Sequence, residues 1–264
     1  MSTQAATPPV HDKPMSAFHY STWANLGAAR RALDTALRED LESFGLQREA
    51  ELYYAIDLLD GLRGAIDLDL GGLPGWFDLT AYVHIVSPEG NRLRNRVTKA
   101  LGEKVHRLPV PVPLWVRNIG QFTPHNNFLQ WFIRSEADAR SESRALLDVI
   151  RSDVLPFLVA HNSLPKLEQL MLQRHGDFRT GGKPFVLEPR SLREIETSDL
   201  DSRPANAYNL PIVYFLLGRG EDLQRALDLC LERYQASGPA GVEGYRAVTA
   251  ELRKMFALRT APRG

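Results

Sequence analysis

The sequence predicts an α+β fold: an antiparallel sheet of about four strands, helices packed on one face, and a C-terminal helical extension. Three observations carry this. Apolar residues between 22 and 44 recur at spacings of three, four and seven. Between 52 and 86 they alternate instead, and beyond 136 the helical spacing returns and stays. A period near 3.6 marks a helix and a period of two marks a half-buried strand. Strands grouped first and helices grouped after define the α+β class.

In the first helix, 22–44, Trp23, Leu26, Leu33, Leu37, Leu41 and Phe44 share one face, and Gly45 stands where a left-handed cap would close it. Three strands follow. Leu52, Tyr54, Ile56 and Leu58 alternate with polar or small residues over 52–59, and Asp60-Gly61 signals a tight turn. Ile66, Leu68 and Leu70 oppose Asp67 and Asp69 over 63–70, and Gly71-Gly72-Leu73-Pro74-Gly75 is expected to break the chain. Phe77, Leu79, Ala81, Val83 and Ile85 oppose Asp78, Thr80, Tyr82 and His84 over 77–86. Short turns between three such strands describe a meander, wet on one face and apolar on the other.

Residues 87–127 read as irregular, with a short basic helix over 91–105 and a forced extended stretch at the prolines of 108–114. Residues 128–134 read as a fourth strand, apolar on both faces and central. Helices are expected at 136–151, 153–161 and 164–174, the last with Ser163 as N-cap and Pro165 in its first turn. Residues 176–204 hold three prolines, two adjacent glycines and 11 charged residues, the pattern of a linker or surface excursion. Helical stretches at 206–217, 221–235 and 241–257 complete the chain. One helix pair within 205–235 has the look of a tetratricopeptide unit, but a solenoid needs about three, so it reads as a helical appendage. The expected organisation is a disordered tail at 1–16, an α+β domain at 17–175, a linker at 176–204 and a helical extension at 205–260.

Composition narrows the function classes. The chain has 264 residues, 44% hydrophobic and 24% charged, the profile of an ordinary globular protein. One cysteine rules out a disulfide framework and a multi-cysteine zinc site. No run approaches the ~18 apolar residues of a membrane span. Met1–Ser16 has neither a basic start nor an apolar centre, so no export signal is read and the cytoplasm is the expected compartment.

The charge balance, 32 against 32, hides a polarity. Residues 39–86 hold ten acidic and two basic residues, net −8; residues 87–134 hold two acidic and eight basic residues, net +6. Asp57, Asp67, Asp69 and Asp78 all fall on the polar face of the meander and are expected to converge across neighbouring strands. Like charges facing one another across a sheet are mildly destabilising. They could keep an exposed sheet soluble, be covered by the Arg92–Arg107 segment, or form a docking surface for a basic partner.

The motifs of catalysis are sparse. Ile66-Asp67-Leu68-Asp69-Leu70 presents two carboxylates on one strand face, as two-metal enzymes do. The nucleotidyltransferase pattern adds an upstream Gly-Ser pair, and Tyr53–Leu58 contains neither residue. The seven histidines form no His-Glu-x-x-His pattern; His84 shares a strand face with Asp78 and is read as a surface histidine near an acid. Cys230 lies beside Leu227 and Leu231 in a helical stretch and reads as a small buried thiol. No phosphate loop, dinucleotide fingerprint or nucleophile elbow occurs. The basic run Arg92, Arg94, Arg96, Lys99, Lys104 and Arg107 lacks interleaved aromatics, which disfavours nucleic acid.

The order of helix, Phe44-Gly45-Leu46, strands with a glycine turn, a strand bearing Trp131, Leu155-Pro156-Phe157-Leu158 and Leu164–Leu172 resembles the bacterial domain-of-unknown-function family 4304 over about 22–174. The insertion at 87–127 and the C-terminal helices depart from its compact pattern. The resemblance brings no catalytic residues; some members look like immunity or accessory proteins of bacterial toxin systems. The expected function is therefore a non-enzymatic cytoplasmic binding protein of that kind. It would have no cofactor, a protein partner of basic character and no membrane, with nucleic-acid binding through Arg92–Arg107 a disfavoured third reading, and its contact residues would be Asp57, Asp67, Asp69 and Asp78. The alternative is a metal-dependent hydrolase or nucleotidyltransferase using Asp67 and Asp69.

Overall fold

The computed structural model describes residues 25–73, 76–104, 111–123, 128–133, 135–173, 191–195, 208–236 and 242–260. Trp23, the 1–16 tail and nearly all of 176–204 lie outside them. Helix α1 (Leu26–Ser43) begins at Asn25, whose side chain accepts a hydrogen bond from the Ala28 N–H at 2.9 Å. It buries Ala29, Leu33, Leu37 and Leu41 along one stripe. Gly45 closes it at φ +87°, with the Gly45 N–H bonded to the Glu42 carbonyl and the Leu46 N–H to that of Leu41. That pair of bonds is the Schellman cap, and only the glycine takes its left-handed backbone without strain.

The fold is α+β, and its antiparallel sheet has six strands: β1 (Gln47–Ala50), β2 (Tyr53–Asp57), β3 (Arg63–Leu73), β4 (Trp76–Val86), β5 (Trp115–Asn118) and β6 (Gln130–Ile133). The first four pair in sequence order. The free edge of β4 is then shared end to end, Tyr82–Ile85 pairing with β5 and Phe77–Thr80 with β6. Asn118 holds this split edge together: its amide donates to the Leu129 carbonyl and its side-chain oxygen accepts from the Leu129 N–H.

Three expectations are corrected. The sheet has two more strands than predicted, because β1 and β5 are four residues each and too short to show alternation. The fourth predicted strand, β6, is an edge rather than a central strand, with Gln130 and Phe132 exposed. Gly71 and Gly72 do not break β3; both pair with β4, and the long ladder outweighs the conformational cost of glycine.

Side chains of one sheet face, among them Tyr54, Ile66, Leu68, Leu70, Phe77, Leu79, Val83 and Ile85, merge with those of the helices in one buried cluster. Helix α2 (Pro88–Ala100) starts earlier than predicted, because Ser87 caps it and Pro88 fits its first turn. Helix α3 (Glu136–Val149) runs through a π turn at Ile150–Val154 into α4 (Leu155–Ala160), where two separate helices were predicted. The wider turn lies directly before Pro156, which has no N–H and crowds the carbonyl four residues back. Helix α5 (Leu164–Met171) is held at its start by Asp60, which accepts from the Leu164 N–H at 3.0 Å.

Helices α6 (Asn209–Leu217), α7 (Gly220–Ala236) and α8 (Val242–Thr260) share the same core through Leu210, Ile212, Val213, Phe215, Leu223, Leu227 and Leu252. Buried Glu168 of α5 ties down α6 and the α6–α7 junction, accepting from the Tyr214 hydroxyl at 3.0 Å and from Arg219 at 2.6 Å. Helix α2 is stapled to α6 by Arg94, which donates to the Val112 and Pro113 carbonyls and to the Asn209 side chain.

Candidate functional site

Side chains alternate across a strand, so the residues between the core positions face the other way. Tyr53, Ala55 and Asp57 of β2, Arg63, Ala65, Asp67 and Asp69 of β3, and Asp78, Thr80, Tyr82 and His84 of β4 form this second face. All four aspartates singled out in the sequence lie on it.

Their register corrects the expected convergence. Asp57 stands opposite Arg63, Asp67 lies between Tyr53 and Tyr82, Asp69 faces Thr80, and Asp78 faces Gly71 and Phe132. No two of the four are cross-strand partners. Asp57 is bound by Arg63 at 2.9 Å, and the same guanidinium also holds Glu49. Asp78 accepts from the Gln130 amide at 2.5 Å. Only Asp67 and Asp69, two apart on β3, stand side by side.

Asp67 is the centre of the face. His84 lies beside it, with Nε2 3.9 Å from Oδ2, beyond hydrogen-bonding reach. The His84 ring lies 6.3 Å from the Tyr53 ring and 6.5 Å from the Tyr82 ring. His84 is therefore buried beside Asp67, not a surface residue beside Asp78, and its Nδ1 has no hydrogen-bond partner. Tyr53, Ala55 and Ala65 on the same face are themselves buried in one small cluster.

The electrostatics follow from that desolvation. Burial, reinforced by the adjacent Asp69 charge, pushes the Asp67 carboxyl up to about 6 against a weaker pull from Arg30. Burial alone pushes the His84 imidazole down to about 4. The Tyr53 and Tyr82 hydroxyls are raised for the same first reason, with Asp67 adding to both. Among the described residues no Lys or Arg contacts Asp67. Arg30, which lowers its pKa from a distance, is spent on Glu51 at 2.9 Å. At neutral pH the site is thus an ionised carboxylate and a neutral imidazole, walled by aromatic rings.

The other sequence candidates fall elsewhere. Among the described residues no group of three His, Cys, Asp or Glu side chains converges as a metal site, so Asp67 and Asp69 lack a third ligand there. Among the described residues the basic run does not cover the acidic face. Arg92 and Arg96 pair with Glu89 on their own helix. Arg94 is buried in the α2–α6 staple, where desolvation pulls its pKa down to about 10. Arg107 lies outside the described residues. Cys230 is buried, and desolvation raises its thiol to about 11, which removes nucleophilic character at neutral pH.

Sequence reading missed Tyr53 and Tyr82. Their signal was the hairpin register: counting outward from Asp60-Gly61 and from the Leu73–Trp76 pair places both opposite Asp67. The chain matches no family model, no curated protein and no solved structure.

Proposed function

We propose that this chain is a non-enzymatic cytoplasmic binding protein and that the acidic sheet face docks a basic protein partner. The observation that carries this is Asp67: a desolvated carboxylate, next to a second carboxylate, with no cation in contact among the described residues. Removing a charge from water without pairing it costs free energy. A partner's cation would relieve that cost on arrival, and Asp69 and Asp78 around it would steer a basic surface and speed encounter. No helix among the described residues is long and apolar enough to cross a membrane. The resemblance to the domain-of-unknown-function family 4304 supports an immunity-type or accessory role beside a bacterial toxin.

The test is affinity capture from the native cell, with the wild type and with a variant carrying Asn at 57, 67, 69 and 78. The expected result is a basic partner retained by the wild type at physiological salt and lost with the variant. Its association rate should fall at least tenfold, and the difference should shrink as salt is raised. Equal affinity for the two proteins would overturn the assignment of this face.

A further inference from the structure

We infer that the cleft between α2 and α8 binds a small amphipathic anion, a compound with a phosphate or carboxylate head and an apolar body. The site shares no residue with the acidic sheet face, so each reading stands or falls alone. Three features of the cleft support it.

The first is shape. Glu89, Arg92, Arg96 and Lys99 follow one another along α2 at spacings of three, four and three, so they share one stripe of that helix. Gly90, Leu93 and Val97 take its buried side, which leaves the stripe in solvent: the Arg92 and Arg96 side chains are 71% and 55% exposed. Met255, Leu258 and Arg259 form a matching stripe on α8. With Phe215 of α6 at the back, the two stripes line a cleft of about 530 Å³. A second hollow of about 420 Å³ shares Glu89 and Arg96 with it and runs on along α2 to Lys99. Both volumes are those of small-molecule sites.

The second is charge. Among the described residues, Arg92, Arg96, Lys99 and Arg259 line these hollows against a single acid, Glu89. Glu89 accepts from Arg92 at 2.8 Å and from Arg96 at 3.3 Å. Exposed pairs of this kind are weak, so either guanidinium can turn to an arriving oxyanion, whose geometry its fork matches. Lys99 is exposed and has no ion pair among the described residues. Arg259 is held ready: it donates to the Phe215 carbonyl at 2.8 Å and lies 5.3 Å from the centre of the Phe215 ring, which spends one of its five N–H donors. The third is the apolar surface beside those cations. Leu258 is 71% exposed and Met255 partly exposed, so an incoming group reaches both. A lone exposed leucine is ordinary, but this one stands in a concave cleft rimmed by cations. An inorganic anion would leave the apolar surface wet, and a nucleic acid would call for stacking aromatics. A small amphiphile satisfies both halves, and concavity suits a free molecule better than a flat lipid surface.

The test titrates three probes into the full chain while amide and methyl NMR signals are followed: 1-naphthyl phosphate, inorganic phosphate and 1-naphthylmethylammonium. The expected result is saturable binding of naphthyl phosphate, with shifts centred on residues 89–99 and 255–259. It should be about tenfold tighter than inorganic phosphate, the gain from covering apolar surface, and the ammonium probe should not saturate. Arg96→Gln should weaken it about fivefold, the scale of one partly exposed charged contact, and Leu258→Ser by a similar factor. Glu89→Gln should tighten it about threefold by freeing Arg92 and Arg96, a gain that damage to the fold would not produce. All three positions carry solvent-exposed surface, and melting curves on the same samples check that the variants are folded. Equal affinity for naphthyl phosphate and inorganic phosphate, saturable binding of the ammonium probe, indifference to Arg96→Gln, or no saturable shift would each overturn the site. A sedimentation arm with vesicles of phosphatidylcholine and phosphatidylglycerol in equal parts separates the two sources of such a head group. The protein is expected to stay in the supernatant; cosedimentation that Arg96→Gln abolishes would make the cleft a lipid-surface contact and overturn the free-ligand assignment.

Discussion

Asp34 and Asp67 are both aspartates drawn out of solvent, and the fold treats them in opposite ways. Asp34, on α1, is almost fully enclosed. Burial pushes its carboxyl up, but four donors outweigh that and hold it below the usual range. They are the Leu52 N–H at 3.0 Å, the Tyr54 hydroxyl at 2.8 Å, Arg38 at 2.9 Å and Arg48 at 2.8 Å. This network pins the β1–β2 turn, where Leu52 adopts φ +61°, onto the helix. Asp67 is less buried yet has no such donors, and its neighbour is another acid. One site is internally complete. The other is left open on the side facing solvent, and an incomplete electrostatic site on a rigid sheet is where a partner's charge is worth most.

That contrast can be broken most directly by making the same change at both positions. Asp34→Asn should cost about 2–4 kcal/mol in urea denaturation, since it removes the charge that four donors surround. A cost below about 1 kcal/mol would show that the network is ornamental. Asp67→Asn should instead stabilise the protein at pH 7, by about 1–2 kcal/mol. A rise from the ordinary 3.8 to about 6 corresponds to roughly 3 kcal/mol, reduced here because the group keeps some solvent contact. Loss of stability in this variant would mean that Asp67 is structurally paired after all.

A finer probe is pH. Folded Asp67 holds its proton more tightly than the unfolded chain does, so its contribution is best below about 4 and declines as pH rises to about 6. Folded His84 holds its proton less tightly, so its contribution is intact above about 6.5 and is lost as pH falls towards 4. The two slopes oppose, and the wild type should show a nearly flat stability profile from pH 4 to 6. Asp67→Asn should unmask a rise with pH, and His84→Gln a fall, each of at most about 1.4 kcal/mol per pH unit. Parallel profiles in the two variants would dissolve the pairing of these residues. The smallest effect expected is Tyr54→Phe, which removes one bond to Asp34 and should cost about 1 kcal/mol in the same denaturation assay.

Much of this was legible in the chain. The Leu33–Leu37–Leu41 stripe, the alternation through Ile66–Leu70 and Phe77–Ile85, and Asp60-Gly61 are local patterns, and local patterns fix element type and which face a residue takes. They put all four aspartates on one face. They did not show β1 or β5, whose four residues are strands only because neighbouring strands satisfy their backbone. Nor did they show that His84 neighbours Asp67 rather than Asp78, which depends on the registers of β3 against β2 and β4. The basic run misled for a related reason. Arg94 looks like its neighbours Arg92 and Arg96 in sequence, but helix geometry turns it inward against Asn209.

The sequence by itself determined the α+β class, the apolar and polar faces of the central strands and the segregation of charge along the chain, because each follows from spacing that no distant contact can alter. The tertiary structure alone decided which charges are answered. Asp34 and Arg94 are answered, Asp57 is shared with Arg63, and Asp67 is left facing outward between two tyrosines. The reason is that compensation and desolvation are properties of neighbours in space, within a few ångströms, and those neighbours come from strands and helices far apart in the chain.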